Sequence, residues 1–179
     1  MADRQSQCVI VTEDLQSEVF LRRFLMKVGF EERRIRRVTH SKGAGSGEQF
    51  VRDRYPIELK AFRSKRYLAL KLFVMVDADS HSVEERRRQL AASLASNGLN
   101  SPTDDEHVSL LIPRRNIETW IHHLSGQTVD EATTYPKLDR EGACQPGVDR
   151  LVAIFRSGEI PGDCPDSLRR AIEELKRVL

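Results

Sequence analysis

The sequence predicts an α/β fold, in which a mostly parallel sheet carries helices on both faces and is followed by a small helical C-terminal extension. Short apolar runs alternate along the chain with segments whose apolar residues recur every three or four positions, the pattern of strands alternating with helices. The run at 70–76 is almost continuously apolar, as expected of a parallel strand buried on both faces. The 179 residues are enough for one domain with a substantial core.

The first half of the chain supplies two short strands and two helical regions. An apolar stripe defines the first helix, and Gly29 follows it in the position of a C-terminal cap. Pro56 is expected to interrupt the second helical region, because proline has no backbone N–H to donate inside a helix. These elements are predicted at 8–12, 17–28, 34–40 and from Glu48 toward Tyr67.

The second half continues the alternation and ends in helices. Asn116 is a suitable N-cap for the helix that follows the last strand, and Gly126 ends that helix. We predict an α/β domain over 1–126, with an irregular segment and helices over 127–179 packed on the same domain. The elements are predicted at 68–76, 83–97, 107–112, 117–125, 147–157 and 165–178.

Composition excludes several classes of protein. The net charge is only +2, with 29 basic and 27 acidic residues. The three cysteines, Cys8, Cys144 and Cys164, are far apart and odd in number, which argues against a disulfide framework and a CxxC zinc site. The polar start of the chain lacks a signal-peptide core, and no apolar stretch is long enough to span a bilayer. We therefore expect a cytoplasmic protein with no membrane partner.

Basic residues form four local clusters, at 33–37, 63–66, 86–88 and 114–115. Clustered arginine beside an acidic site would suit a phosphodiester substrate. Any one of these clusters is also explained by solvated helix faces and by salt bridges between residues four apart on a helix. The clusters favour an anionic partner such as nucleic acid without requiring one.

Four acids lie at or just beyond the ends of predicted strands: Glu13, Asp77, Asp79 and Glu118. Parallel strands bring such positions to one edge of the sheet, where α/β proteins bind their ligands. Carboxylate oxygens there suit Mg²⁺ or Mn²⁺. Taken singly, Glu13 and Glu118 could simply favour a helix N-terminus. The Asp77–Asp79 pair favours metal binding, since two acids one residue apart are a poor way to build a turn.

Other polar residues are less specific. His81 lies two residues after Asp79 and could bind metal or phosphate. The glycine-rich segment 43–48 could bind phosphate through its N–H groups, but it lacks the Gly-Lys-Ser ending of a P-loop, and a mobile loop is the expected interpretation.

An acid after the first strand, followed by Asp-x-Asp after the third, resembles the TOPRIM domain of topoisomerases, bacterial primases and OLD-family nucleases. The resemblance covers roughly residues 8–125. Glu13 matches the catalytic glutamate of that family, and Asp77 and Asp79 match its Asp-x-Asp pair. The segment 112–120 looks like the Ile-Glu-x-Trp region of small TOPRIM-like proteins among phage-defence genes, which would add Glu118 to the site.

The chain also departs from the family pattern. Asp14 replaces the usual glycine after the glutamate, Ser17 replaces an expected acid, and His81 stands where topoisomerases have a third acid. A strand-passage domain with a tyrosine and a zinc module are both missing from the sequence, so topoisomerase and primase activities are not expected.

The sequence therefore predicts a Mg²⁺- or Mn²⁺-dependent nuclease, and the resemblance further implies a role in phage defence with a partner ATPase. Catalysis would fall to Glu13, Asp77, Asp79 and Glu118, with metal held by the first three. Substrate phosphate would be bound by Arg114, Arg115 and His81. Two alternatives remain open: a non-catalytic nucleic-acid-binding or regulatory module, and a phosphatase or phosphotransferase with Asp77 as nucleophile.

Overall fold

Four parallel strands form one sheet in the order β2-β1-β3-β4, within a computed structural model that describes residues 6–41, 43 and 45–179. The strands are β1 (Gln7–Thr12), β2 (Ile35–Thr39), β3 (Leu70–Met75) and β4 (Val108–Leu111). The helices are α1 (Leu15–Lys27), α2 (Gly47–Ser64), α3 (Val83–Ser96), α4 (Ile117–Leu124), α5 (Gln145–Ser157) and α6 (Asp166–Val178). Short 3-10 helices occupy Glu32–Arg34 and Glu141–Cys144. The α/β prediction is confirmed.

Both faces of the sheet are covered by helices, because the strands carry apolar side chains on both faces. On one face, Ile10 and Phe73 belong to a core cluster that includes residues of α1, α4, α5 and α6. On the other, Val11 and Val74 pack in a cluster with residues of α2 and α3. The central strands β1 and β3 are therefore buried on both sides, as the continuous apolar run at 70–76 predicts.

The interruption expected at Pro56 is wrong: α2 runs without a break from Gly47 to Ser64. Proline leaves the carbonyl four residues earlier, that of Arg52, without its usual helical N–H donor. The Ser93 hydroxyl of α3 donates a 2.5 Å hydrogen bond to this carbonyl. Packing against α3 thus satisfies the group that the proline frees, and the helix continues.

The C-terminal helices share a core cluster with α1 and α4. In α6, Leu168, Ile172 and Leu175 form a buried stripe. The Lys71 ammonium of β3 donates to the carbonyl of Val178 at the end of this helix.

The predicted division of the chain at residue 126 stays a prediction. Within the described residues, no helix combines the length and apolar character needed to cross a membrane.

Candidate metal centre

The strand ends that carry the predicted acids lie side by side, at what we call the carboxyl edge of the sheet. Thr12 of β1 pairs with Met75 of β3, and Met75 pairs with Leu111 of β4. β1 ends one residue before Glu13, and β3 ends two residues before Asp77. The parallel register therefore brings Glu13 next to Asp77, although 64 residues separate them in the chain.

Glu13 and Asp77 are in direct contact. The Asp77 backbone N–H donates a 3.0 Å hydrogen bond to Glu13 Oε1. Burial raises the pKa of Glu13 from 4.5 to about 7; hydrogen bonds with Asp77 oppose the rise, and the negative charge of Asp79 adds to it. Burial, and then the charge of Glu13, raise the pKa of Asp77 well above its usual range. Full ionisation of the pair is therefore unfavourable unless a cation lies beside it.

Two carboxylate oxygens at this edge are buried without a hydrogen-bond partner among the described residues: Asp77 Oδ1 and Glu118 Oε1. The two residues are 6% and 1% exposed. The charge of Glu118 contributes to the raised pKa of Asp77, so the two carboxyls are within electrostatic reach of each other. Leaving a buried charged acceptor unpaired is costly, and a divalent cation would supply the missing partner.

Asp79 differs from Glu13 and Asp77 in its exposure and in its contact with a cation. Its side chain is 59% exposed, and its Oδ2 lies 3.4 Å from an Nη of Arg86. Accordingly, no group of three His, Cys, Asp or Glu side chains in the described part of the chain is arranged to hold a metal ion. Mg²⁺ usually keeps several waters and takes one or two protein carboxylates, a number that Glu13 and Asp77 can supply. A single ion shared by Glu13, Asp77 and Asp79 stays a prediction.

Arg86, the first arginine of the cluster at 86–88, points into the protein and holds the Asp77–Asp79 turn. It is only 2% exposed. Its Nε donates a 2.9 Å hydrogen bond to the Asp77 carbonyl, and an Nη donates to the Ala78 carbonyl at 3.4 Å. Its other Nη lies 2.6 Å from Glu48 Oε1 at the start of α2. One guanidinium therefore fixes the backbone around both aspartates and ties it to a neighbouring helix.

Arg114, Arg115 and His81 all lie at the carboxyl edge beside Asp79. Arg114 Nη1 donates to the carbonyls of Asp79, at 2.9 Å, and of His81. Arg115 Nη1 lies 3.4 Å from the Asp79 carbonyl, and the Asp79 N–H donates to the Arg115 carbonyl at 3.0 Å. His81 lowers the pKa of Asp79, although burial raises it overall. The predicted phosphate-binding residues thus surround one aspartate.

Asp79 and Arg115 both adopt left-handed backbone conformations, with φ of 53° and 72°. Such conformations cost about 1–3 kcal/mol for a residue other than glycine and cluster at functional sites. The two strained residues are hydrogen-bonded to each other through their backbones. Strain is therefore concentrated at the point where the ends of β3 and β4 approach the acids.

The N-terminus of α2 lies directly against Glu13. A Cβ atom at Gly47 would stand 2.4 Å from the Glu13 carbonyl oxygen, a distance too short for any side chain. Glycine at 47 therefore permits the close approach that brings Glu48 to Arg86. Residues 42 and 44 of the loop predicted before α2 lie outside the described residues.

Sequence reasoning missed the roles of Arg86, Glu48 and Asp14. Asp14 is the N-cap of α1, where its Oδ1 accepts a 2.8 Å hydrogen bond from the Ser17 N–H. A signal for Arg86 exists in the sequence: Val83, Arg86 and Leu90 follow the spacing of one helix face. Both apolar members of that stripe are buried, so an arginine between them is expected to point inward.

The other basic clusters are largely engaged within the protein. Arg36 pairs with Glu58, Arg37 lies 3.9 Å from Glu18, and Arg63 holds Glu106 at 2.8 Å. Pairing with acids on other elements, rather than with acids four residues away on the same helix, therefore accounts for much of the basic character. It leaves the acid-rich carboxyl edge as the candidate site.

Comparison with protein-family models, with curated proteins and with solved structures gave no significant match for this chain. The TOPRIM resemblance accordingly stays a prediction from the residues named above.

Proposed function

We propose that this chain is a Mg²⁺- or Mn²⁺-dependent nuclease that hydrolyses phosphodiester bonds in DNA or RNA. The observation that carries the proposal is the contact between Glu13 and Asp77, two acids from neighbouring strand ends, with Asp77 Oδ1 buried and without a protein partner. Burying two adjacent carboxylates with an unpaired oxygen is unfavourable. A divalent cation between them would turn this unfavourable arrangement into a binding site.

Glu13 and Asp77 are the residues that would hold the ion, and Asp79 and Glu118 are close enough to act on it electrostatically. A bound divalent ion would supply an activated water and charge stabilisation at the phosphate. Arg86 would keep the Asp77 backbone in place, because it holds the carbonyls of Asp77 and Ala78.

Recognition of the phosphate would fall to Arg114, Arg115 and His81, which surround Asp79 on the same edge. The guanidinium group matches phosphate oxygens with two parallel hydrogen bonds. Arg115 Nε is buried without a hydrogen-bond partner in the described residues, so one of its donors is not committed to the protein. A partner ATPase and a role in phage defence stay predictions from the TOPRIM resemblance.

The test is Asp77→Asn, which removes one anionic ligand with little change in volume. We expect cleavage of labelled DNA and RNA in Mn²⁺ or Mg²⁺ to fall about a thousandfold or more, because metal-dependent rate enhancement needs the charged ligand. Calorimetric titration with Mn²⁺ alone should show weaker binding by the variant, as a readout separate from activity.

Asp53→Asn is the matched control, since Asp53 is exposed on α2 and pairs with Gln49 rather than with the acids of the carboxyl edge. It should cleave and bind Mn²⁺ like the wild type. Undiminished cleavage by purified Asp77→Asn protein would refute the nuclease proposal.

A non-catalytic nucleic-acid-binding or regulatory module is the second candidate. The observation that favours it is the pairing of Asp79 with Arg86, since this internal cation already neutralises one acid of the predicted metal set. Wild-type protein that binds oligonucleotides but cleaves none of them in Mg²⁺ or Mn²⁺ would establish this alternative.

An aspartate-based phosphatase or phosphotransferase finds less support. Asp77 would have to attack phosphorus, yet its Oδ1 is buried and the residue is 6% exposed. Trapping a phosphoaspartate at residue 77 would favour this alternative over the nuclease.

A further inference from the structure

A groove of about 680 Å³ lies at the opposite end of the strands from the acids, at what we call the amino edge. It is walled by the first residues of β1 and β3, by the segment that leads into β2, and by the C-terminal half of α2. Its described lining includes four basic residues, Arg33, Arg34, Arg36 and Lys65, and one acid, Glu58. The groove is large enough for a nucleotide-sized ligand.

The acid in this groove is already compensated. Glu58 accepts hydrogen bonds from both Arg36 and Arg54. The Arg33 side chain is 80% exposed and pairs with Glu31 at the surface, an interaction of little strength in water. Lys65 is exposed and takes part in no ion pair within the described part of the chain. The groove therefore presents a surplus of positive charge to solvent.

Apolar and aromatic side chains stand beside this charge. Phe62, Leu68 and Leu70 line the groove. Tyr67 lies on a turn closed by a 2.9 Å hydrogen bond from the Leu68 N–H to the Lys65 carbonyl. It is 82% exposed. A second cavity of about 310 Å³ shares Phe62, Lys65, Leu68 and Leu70 and extends toward β4. A basic groove with an exposed aromatic ring at its rim is the arrangement that binds single strands by backbone charge and base stacking.

We propose that this amino-edge groove binds a single-stranded segment of nucleic acid, with Arg33 and Lys65 on its phosphates and Tyr67 stacked on a base. The inference rests on the proposed nuclease function, of which it would define the substrate path. The outermost strand β2 connects the groove with the carboxyl edge: from Arg36 to His40 the chain advances about 13 Å.

An acidic peptide would also match the positive charge of the groove, but the exposed ring of Tyr67 favours nucleic acid. Bases offer a flat face to Tyr67 at regular intervals, whereas an acidic peptide has no such group. The groove also lies on the sheet whose other edge carries the candidate hydrolytic site, so one strand could contact both edges.

The experiment is fluorescence anisotropy with labelled 20-nucleotide single strands of DNA and RNA, in chelator so that no cleavage occurs. The double variant Arg33→Ala/Lys65→Ala should bind about tenfold more weakly, and its dependence of log K on log salt should be shallower by about 1.4 for the loss of two phosphate contacts. Tyr67→Ala should weaken binding by about fivefold or more with an unchanged salt slope, because stacking involves no counterion release.

Arg88→Ala/Arg150→Ala is the matched control, because it removes the same charge from exposed positions outside the groove. It should leave affinity and slope near those of the wild type. Equal losses in the groove variant and in this control would overturn the proposal, as would a groove variant that binds like the wild type. Full competition by a mononucleotide at equimolar concentration would likewise overturn strand binding and indicate a nucleotide site.

The outcome is separable from that of the nuclease proposal. Asp77→Asn should bind single strands with wild-type affinity in chelator while it loses cleavage. If the groove variants bind normally and Asp77→Asn loses cleavage, the strand-binding role of the groove is refuted and the nuclease proposal stands. Normal cleavage by Asp77→Asn would refute the nuclease while leaving the binding result intact.

Discussion

At the amino edge of the sheet, Glu106 receives two 2.8 Å hydrogen bonds from the Arg63 guanidinium, whereas at the carboxyl edge Glu13 faces another acid, Asp77. Both glutamates are largely removed from solvent, but their environments have opposite effects. The hydrogen bond with Arg63 is the main reason that the pKa of Glu106 falls to about 2, while burial raises that of Glu13 to about 7. The acid at the amino edge is neutralised by an arginine of the protein, whereas the acid pair at the carboxyl edge keeps an unmet demand for positive charge.

This difference separates structural from functional acids better than sequence position does. A carboxylate held by a bidentate arginine stabilises the native state and offers nothing to a ligand. A carboxylate buried beside another acid destabilises the native state until a cation binds. Selection for stability alone would favour the first arrangement at both edges, so the second points to a binding function at the carboxyl edge.

The largest expected effect is that of Arg86→Met, which removes a buried cation at the carboxyl edge. The Asp77 carbonyl would lose its arginine donor. The Ala78 carbonyl and the Glu48 carboxylate would each lose one donor, and they would keep those from the His81 N–H and from Arg52. We expect the free energy of unfolding to fall by about 3–5 kcal/mol, the range for breaking a buried charged network.

Arg87→Met is the matched control for this variant. Arg87 is the next residue on α3, but its side chain is 35% exposed and lies 3.9 Å from Glu174, so its loss should change stability by about 0.5 kcal/mol or less. Urea denaturation of both variants in chelator provides the measurement. Equal losses would show that Arg86 does not organise the turn as its contacts indicate.

The amino edge gives a smaller expected effect. Glu106→Gln should lower the free energy of unfolding at pH 7 by about 1–3 kcal/mol, because Arg63 loses a charged acceptor that takes two of its hydrogen bonds. Since the pKa of Glu106 in the folded protein is depressed to about 2, its contribution is present above about pH 4.5. It is lost as the pH falls toward 2.

The acid limb of the stability–pH curve should therefore become flatter in Glu106→Gln. Glu32→Gln is the comparison variant, because the Glu32 side chain is 56% exposed in its pair with Arg22. It should leave that limb unchanged. An acid limb that is identical in Glu106→Gln and the wild type would contradict the contrast between the two edges.

Much of the fold was predictable because its determinants are local. The continuous apolar run at 70–76 identified β3, and the positions of Glu13 and Asp77 after their strands predicted a shared edge, which the parallel register produces. The unbroken α2 was not predictable, because it depends on a hydroxyl of Ser93 that reaches the Arg52 carbonyl from another helix. Local sequence carries no trace of such a tertiary partner.

The acids that follow the strand ends could be named from the sequence, and their membership of one metal site stays a prediction. The left-handed backbone of Asp79 and its pairing with Arg86 could not be read from the sequence. Asp79 and Arg115 are not glycines, so composition gave no indication that they adopt positive φ. The expected salt bridges between residues four apart were wrong for Arg36, Arg37 and Arg63, because their acidic partners come from distant elements.

The smallest expected effect is that of Glu13→Gln on the pH dependence of metal-free stability. This variant tests the difference between the two edges most directly. The pKa of Glu13 is raised in the folded protein, from 4.5 to about 7, so the native state binds the proton more tightly than the unfolded state. Stability must then fall as the pH rises from about 4.5 to 7, opposite in sign to the acid limb set by Glu106. A neutral side chain at this position should reduce that fall and stabilise the protein at pH 8 by about 1 kcal/mol.

The measurement is urea denaturation in chelator at intervals from pH 4 to 8, with Glu159→Gln, at an exposed position on the C-terminal segment, as the control that keeps the wild-type curve. Saturating Mn²⁺ should reverse the order at pH 8, because the ion stabilises only a native state that retains its ligands. Wild-type protein should then become more stable than Glu13→Gln. If the variant is instead less stable than the wild type at pH 8 in chelator, Glu13 acts as a structural acid like Glu106, and the two edges of the sheet do not differ in kind.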